Sequence, residues 1–251
     1  MRMNNDFLEI SNKTFLITGA TSGIGKSICE LLLKFNSNLV ICGRRTEKLN
    51  EIKNKAPQKV IAYSGDLTDN GFIKNIVDTT PSIDGIVHSA GILKYIPFKV
   101  LSRKNLNLIY DINYFAPIEL TQNLYSKKKI NNDSSIVFIS SISGITKSAV
   151  GLAAYSSSKS ALFGIVKTIS IELAKNRIRV NSISPGMVRT EMLDGAQDVI
   201  SGSKIIEDEN RYPLGYGTPE DVANFTAFLL SSRSKWITGS NYIIDGGFSC
   251  I

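Results

Sequence analysis

The stretch Thr14-Phe15-Leu16-Ile17-Thr18-Gly19-Ala20-Thr21-Ser22-Gly23-Ile24-Gly25 decides how the rest of the chain is read. Its first five residues are β-branched or apolar on both alternating faces, which predicts a strand buried on both sides. Glycines at 19, 23 and 25 then let the chain turn tightly, bring backbone close to a ligand and pack a helix against the strand. The helix continues through Ile28, Leu31 and Leu32. Its free N–H groups and dipole favour an anion at the N-terminus. A plain strand-to-helix turn is the simpler alternative. The context, with a second strand about 20 residues on, favours a pyrophosphate cradle. Gly19, Thr21, Ser22, Gly23, Ile24 and Gly25 are therefore candidate cofactor contacts.

Outward from that turn, short apolar runs alternate with helical patterns. Leu39–Cys42, Val60–Tyr63, Ile83–His88, Ser135–Ser140, Arg179–Ile183 and Tyr242–Asp245 read as further strands. Strand–helix alternation over the whole length predicts right-handed crossovers. The expected fold is α/β: a doubly wound Rossmann fold, with a parallel sheet of about seven strands flanked by helices. Residues 1–251 read as a single domain, since no repeat, low-complexity tract or linker interrupts the pattern.

The end of the second strand bears on which dinucleotide is bound. An acidic residue there accepts hydrogen bonds from the ribose 2′-OH of NAD. This chain reads Cys42-Gly43-Arg44-Arg45, with no carboxylate before Glu47. Guanidinium groups match a 2′-phosphate in shape and charge, so Arg44 and Arg45 point to NADP(H). Two exposed arginines opening the next helix are the alternative.

Composition narrows the remaining classes. At 251 residues, 43% hydrophobic and 20% charged, the chain has the means to build a real core. The segment 1–12 has no signal-peptide pattern, and no apolar run reaches the ~20 residues that span a bilayer. A soluble, cytoplasmic protein without a membrane partner is expected. Cys29, Cys42 and Cys250 lack metal-ligand spacing, and His88 is the only histidine, so structural thiols and no metal are expected. The net charge of +7 is scattered apart from Lys127-Lys128-Lys129 and carries no aromatic interleaving. A solvated basic surface, rather than a nucleic-acid face, fits that pattern.

Tyr155 and Lys159 stand at i and i+4, so a helix puts phenol and ammonium on one face. A phenol ionises near pH ~10, and a neighbouring cation favours the phenolate. Tyr95/Lys99 and Tyr125/Lys129 repeat the spacing. Pro97 argues against a helix in the first, and the second runs into the lysines of a solvated helix end. Only Tyr155 opens a long amphipathic segment, with Ala161, Leu162, Ile165, Val166, Ile169 and Leu173 as its apolar stripe.

Taken in order, TGATSGIG, Asn113, FISSISG at 138–144, YSSSK at 155–159, NSISPG at 181–186 and Thr190 resemble the short-chain dehydrogenase/reductase family. The likeness continues through Pro219–Ala223, Ile237–Gly239 and Asp245–Gly247, and so covers nearly the whole chain. Within the family the chain is similar to the single-domain 3-oxoacyl-carrier-protein reductases. The resemblance implies Tyr155 as general acid or base, with Lys159 lowering its pKa and holding the nicotinamide ribose. It implies Ser141 as a donor to the substrate oxygen, and Asn113 as holder of a water that relays protons from Lys159. It implies Asp66 and Leu67 near the adenine, Ala90 and Gly91 along the adenine-ribose side, and Pro185, Gly186, Val188 and Thr190 near the nicotinamide. Asp69 is better placed than Asp66 to cap the following helix.

Departures from the family pattern mark where it is weaker. His88-Ser89-Ala90-Gly91 stands where relatives usually carry Asn-Asn-Ala-Gly, and a strand-bridging hydrogen bond is the expected task of His88. The Ser141–Tyr155 interval looks one residue long, which leaves Ser143 as an alternative serine. Ser140 is less suited because strand alternation turns it away. Pro213–Gly217 lacks the usual arginine. The expected activity is reduction of a ketone, a 3-oxoacyl thioester among the options, beneath a lid at 191–216. A sugar or other alcohol dehydrogenase is the alternative, and a non-catalytic dinucleotide-sensing regulator is the alternative of another class. The family resemblance further implies a homotetramer, with Trp236–Phe248 apolar enough to be buried between subunits or within one.

Overall fold

A computed structural model describes residues 7–191 and 207–250. Most of the expected lid, including Met192, Leu193, Val199, Ile205 and Ile206, lies outside those residues. The strands are β1 (Thr14–Thr18), β2 (Asn38–Gly43), β3 (Val60–Ser64), β4 (Ile83–His88), β5 (Ile130–Ile139), β6 (Arg179–Pro185) and β7 (Asn241–Ile244). They form one seven-stranded sheet in the order β3-β2-β1-β4-β5-β6-β7. Every neighbouring pair is parallel. The expected doubly wound architecture is the one observed.

The principal helices among the described residues are α1 (Gly23–Lys34), α2 (Thr46–Lys55), α3 (Asn70–Thr79), α4 (Arg103–Tyr110), α5 (Ala116–Ser126), α6 (Ala153–Leu173) and α7 (Pro219–Leu230). Strand alternation sorts them into two layers. Phe15 and Ile17 of β1 face a core shared with Ile28 and Leu32 of α1, Ile52 of α2 and Ala227 of α7. Leu16 faces the opposite core with Ile76 of α3, Leu120 of α5 and Leu162 and Val166 of α6. Both faces of the central strands are thereby dry. The two edge strands are the exceptions, with Ile61 of β3 at 42% exposure and Ile243 of β7 at 41%.

The chain leaves the β1–β3 half at one edge and returns to place β4 beside β1. A crevice opens at the carboxyl ends of these two strands, where the topology switches direction. Two sequence expectations are corrected. β5 begins at Ile130 rather than Ser135, because Ile130 pairs with Ile83 before the polar residues 131–133 interrupt the apolar pattern. Lys127 and Lys128 are the solvated end of α5, whereas Lys129 turns inward: its Nζ donates to the Thr80 carbonyl at 2.7 Å.

Candidate active site

The floor of the crevice is built by glycine. Gly19 has φ +68°, and a Cβ there would lie 2.7 Å from the Ala90 backbone nitrogen. Only a residue without a side chain lets the turn after β1 press against the chain leaving β4. Thr18 fastens the same seam, its Oγ1 accepting from Ser89 N and Ala90 N at 3.2 Å each. A Cβ on Gly25 would meet the Gly19 carbonyl oxygen at 2.3 Å, so α1 also packs closely on the turn. Ser22, the N-cap of α1, makes no side-chain capping bond, and the first turn holds no acid. By contrast α3 is capped by Asp69 and α7 by a Thr218/Asp221 capping box. The N-terminus of α1 is the one beside the crevice, and its own residues leave it open to an anion.

At the end of β2 both guanidinium residues are exposed. Arg45 donates from Nε and a terminal nitrogen to Thr21 Oγ1, at 3.2 and 3.1 Å. The Arg44 charge contributes to holding the Asp66 carboxyl below its ordinary range, after the larger effect of the Thr68 backbone N–H. Asp66 accepts from Thr68 N and Oγ1 at 2.9 and 2.8 Å, whereas Asp69 caps α3, as its position suggested. Leu67 is buried and packs into the core on the α3 side.

The chemical end lies at the start of α6, where Tyr155 and Lys159 meet the end of β5. The Tyr155 phenol is pushed above its ordinary value by burial, a shift opposed by a hydrogen bond from Ser141 and reinforced by the nearby Tyr95. This differs from a lysine-lowered phenol, and the physical reason is plain. Lys159 is only 5% exposed and its Nζ donates to the Ile139 carbonyl at 2.8 Å, 5.9 Å from the centre of the Tyr155 ring. Burial also brings the Lys159 ammonium down to about 8. Desolvation therefore outweighs the lysine's pull on the phenol.

The serines separate by orientation. Ser140 is buried and its Oγ donates to the Lys159 carbonyl at 3.0 Å, which ties α6 to β5. Ser141 Oγ accepts from Ser143 N at 3.1 Å, and Ser141 is the serine that acts on the Tyr155 phenol, opposing the effect of burial. Of the three serines weighed, Ser141 is the one placed on the phenol.

Asn113 stands in a π-helical turn, Asp111–Phe115, inserted between α4 and α5. Such turns displace one side chain from the helical register. Asn113 Oδ1 accepts from Ile92 N at 2.8 Å, and Nδ2 donates to Ile92 O at 3.0 Å and Ser158 Oγ at 3.1 Å. The side chain thus clamps the exit of β4 to α6. Gly91 lies against this clamp: a Cβ there would be 3.2 Å from Asn113 Oδ1 and 3.4 Å from Lys159 Nζ. Ala90 borders the glycine turn, and Gly91 lies beside the Lys159 ammonium.

His88 makes its side-chain hydrogen bond to a helix rather than to a neighbouring strand. Its ring stacks on Phe138 at 4.7 Å, and Nε2 meets Thr121 Oγ1 of α5 at 2.7 Å. Because Thr121 Oγ1 donates to the Pro117 carbonyl, Nε2 carries the proton and Nδ1 is the bare nitrogen. Burial takes the ring down to about 3, so it is neutral.

After β6, Gly186 N donates to the Ile244 carbonyl at 2.8 Å, and Val188 bridges to Gly217. The segment 185–190 is thereby led back to the phosphate turn, where a Cβ on Gly23 would be 3.0 Å from Thr190 Cγ2. Sequence reasoning missed Thr18, Ser158, Tyr95 and Glu191. The backbone at Tyr95 packs on Gly151, just before α6, and Ile96 N donates to the Gly151 carbonyl at 2.8 Å. No local pattern announces a contact between segments so far apart in sequence.

A phosphate-ready turn at the switch point, with a half-buried phenol and serine and a buried ammonium across the crevice, defines a Rossmann-type oxidoreductase that works with a nicotinamide dinucleotide. A family model described as Enoyl-(Acyl carrier protein) reductase matches residues 19–249. The 3-oxoacyl-[acyl-carrier-protein] reductase FabG of Rickettsia felis is 34% identical over 96% of this chain and 98% of its own. A solved short-chain dehydrogenase/reductase from Brucella melitensis, titled glucose/ribitol dehydrogenase, superposes with TM-score 0.87 at 28% identity, covering 96% of this chain and 98% of that one. L-Sorbose reductase from Gluconobacter frateurii, solved with NADPH and L-sorbose, gives TM-score 0.88 at 25% identity over 97% of this chain and 99% of that one. The chain belongs to the short-chain dehydrogenase/reductase family.

Proposed function

We infer that the chain is an NADP(H)-dependent carbonyl reductase that converts a ketone to a secondary alcohol, with a 3-oxoacyl thioester as its leading substrate class. The observation that carries this reading is the buried Lys159 ammonium 5.9 Å from the centre of the Tyr155 ring, at the start of α6 and against the end of β5, where Ser141 stands. A phenol whose pKa is raised stays protonated at neutral pH and can give its proton to a carbonyl oxygen. Ser141 donates to that oxygen as charge develops, and a donor fixed in place costs no reorganisation at that moment. Lys159 holds its charge below about 8, and in this reading it binds the ribose hydroxyls. Asn113 and Ser158 hold the wall of the site in register.

The residues fit a bound dinucleotide. The close approach at Gly19, the uncapped α1 and the pair Arg44/Arg45 suit a pyrophosphate and a 2′-phosphate. When bound, the nicotinamide supplies the hydride. Pro185, Gly186, Val188 and Thr190 close that side of the crevice. The 34% identity to a reductase named for 3-oxoacyl substrates supports the thioester. The likeness to a sorbose reductase supports a second reading, a sugar or polyol substrate. The chain acts in this reading as one domain, in the cytoplasm, and as a homotetramer.

A panel of ketones and alcohols, assayed with NADPH and NADH on the wild type and on an Arg44→Ala/Arg45→Ala variant, tests the proposal. Wild type is expected to reduce an acetoacetyl thioester with NADPH ahead of L-sorbose. The variant is expected to lose NADPH preference by about tenfold or more, with NADH turnover little changed. A wild-type preference for NADH removes the NADP assignment, and faster L-sorbose reduction selects the second reading. Dinucleotide binding without any turnover points to the regulator instead.

A further inference from the structure

The open N-terminus of α1 already holds a carboxylate from far along the chain. Gly23 N donates to Glu191 Oε2 at 3.1 Å, across a sequence separation of 168 residues. Gly23 is the first residue of the helix, and neither the Ser22 side chain nor an acid in the first turn supplies its capping partner. The reach of Glu191 is set from behind. Val188 bridges to Gly217, Arg189 N donates to the Gly217 carbonyl at 2.9 Å, and Thr190 lies against Gly23. Arg189 also pairs with Glu209, whose carboxylate accepts from Tyr216 N at 3.3 Å. The strand end after β6 thus delivers Glu191 to the phosphate turn from a braced position.

We propose that Glu191 is a built-in competitor for the dinucleotide pyrophosphate, a residue that sets cofactor affinity by occupying the anion position at the head of α1. The inference rests on the dinucleotide reading above. A pyrophosphate cradled by this turn seeks the same helix-terminal N–H groups that Glu191 uses. The Gly23 N–H cannot serve both at full strength, and two anions within hydrogen-bond reach of one donor repel. Binding therefore evicts the carboxylate, and part of the gross affinity is spent on that exchange. Thr190, one residue away, stands where a Cβ on Gly23 would point, so the segment borders whatever sits there.

The test uses the full chain and equilibrium binding, without turnover. Affinities for NADP+, NAD+ and 2′-AMP are measured for wild type, Glu191→Ala and Glu191→Gln, with thermal melting to establish that each variant is folded. Glu191→Ala is expected to bind the dinucleotides about two- to fivefold more tightly, the range that one carboxylate at a helix N-terminus supports. Glu191→Gln falls between, because its amide oxygen still accepts but carries no charge. 2′-AMP, which has no pyrophosphate to place at Gly23, is expected to bind all three forms alike. Unchanged or weaker dinucleotide binding in Glu191→Ala overturns the proposal, as does an equal gain for 2′-AMP, which would indicate a general charge effect. If wild type and both variants bind no dinucleotide, the cofactor reading itself fails and takes this one with it. If wild type binds a dinucleotide and Glu191→Ala gains nothing, only the competitor is lost.

Discussion

His88 shows how one buried side chain can be read to the proton. Thr121 spends its hydroxyl hydrogen on Pro117, so the ring must donate through Nε2, and Nδ1 finds no protein partner among the described residues. Its folded pKa of about 3 lies below the unfolded value of 6.5. The unfolded state therefore binds the extra proton first as pH falls. The contribution to stability is complete above about 6.5 and is lost on the way down through the folded value, by up to about 1.4 kcal/mol per pH unit. Denaturant unfolding between pH 7 and 4 is expected to show this slope in the wild type and a flatter acid limb in His88→Asn. Equal slopes would remove His88 as the cause. Lys159 follows the same logic in a functional place: burial brings its ammonium down to about 8 while its Nζ donates to the Ile139 carbonyl.

At the scale of elements, much of the site was legible because it depends on local rules. The glycine turn was readable from its three glycines and its strand–helix context, and Gly19 has the positive φ that its position in the turn requires. The stripe from Ala161 to Leu173 gave α6, of which Leu162, Val166 and Leu173 are buried. Strand alternation separated Ser140 from Ser141 before any coordinates, and the hydrogen bonds agree. What stayed hidden depends on contacts made through space. The π-helical turn at Asp111–Phe115 has no breaker in its sequence, yet it decides that Asn113 spends its amide on Ile92 and Ser158. The i, i+4 spacing gave the direction of the Tyr155 and Lys159 side chains. It could not give the burial that raises the phenol or the Ile139 carbonyl that claims the ammonium. Glu191 was invisible for the same reason, since its partner is Gly23 on the opposite side of the sequence.

At the scale of the whole molecule, the sheet order brings β1 and β4 together and leaves large apolar side chains unburied elsewhere. Trp236 is 97% exposed and Ile171, near the end of α6, is 78% exposed. The stretch Trp236–Phe248 divides: Phe248 packs within the chain against Tyr212 at 4.2 Å, whereas Trp236 does not. Tryptophan is among the residues that most often anchor interfaces, so Trp236 is the position at which to test the proposed homotetramer. Sedimentation velocity is expected to find tetramers in the wild type and smaller species in Trp236→Lys. A monomeric wild type would contradict the assembly without touching the site. The central claim is narrower than the assembly: the crevice gathers residues from β5, α6 and the glycine turn so that Tyr155 protonates a carbonyl beside a bound nicotinamide. The most direct measurement is kcat for ketone reduction by Tyr155→Phe alongside its equilibrium affinity for NADPH. The expected result is a fall in kcat of about 10²–10⁴-fold with NADPH binding unchanged. Undiminished ketone reduction by Tyr155→Phe would contradict the account.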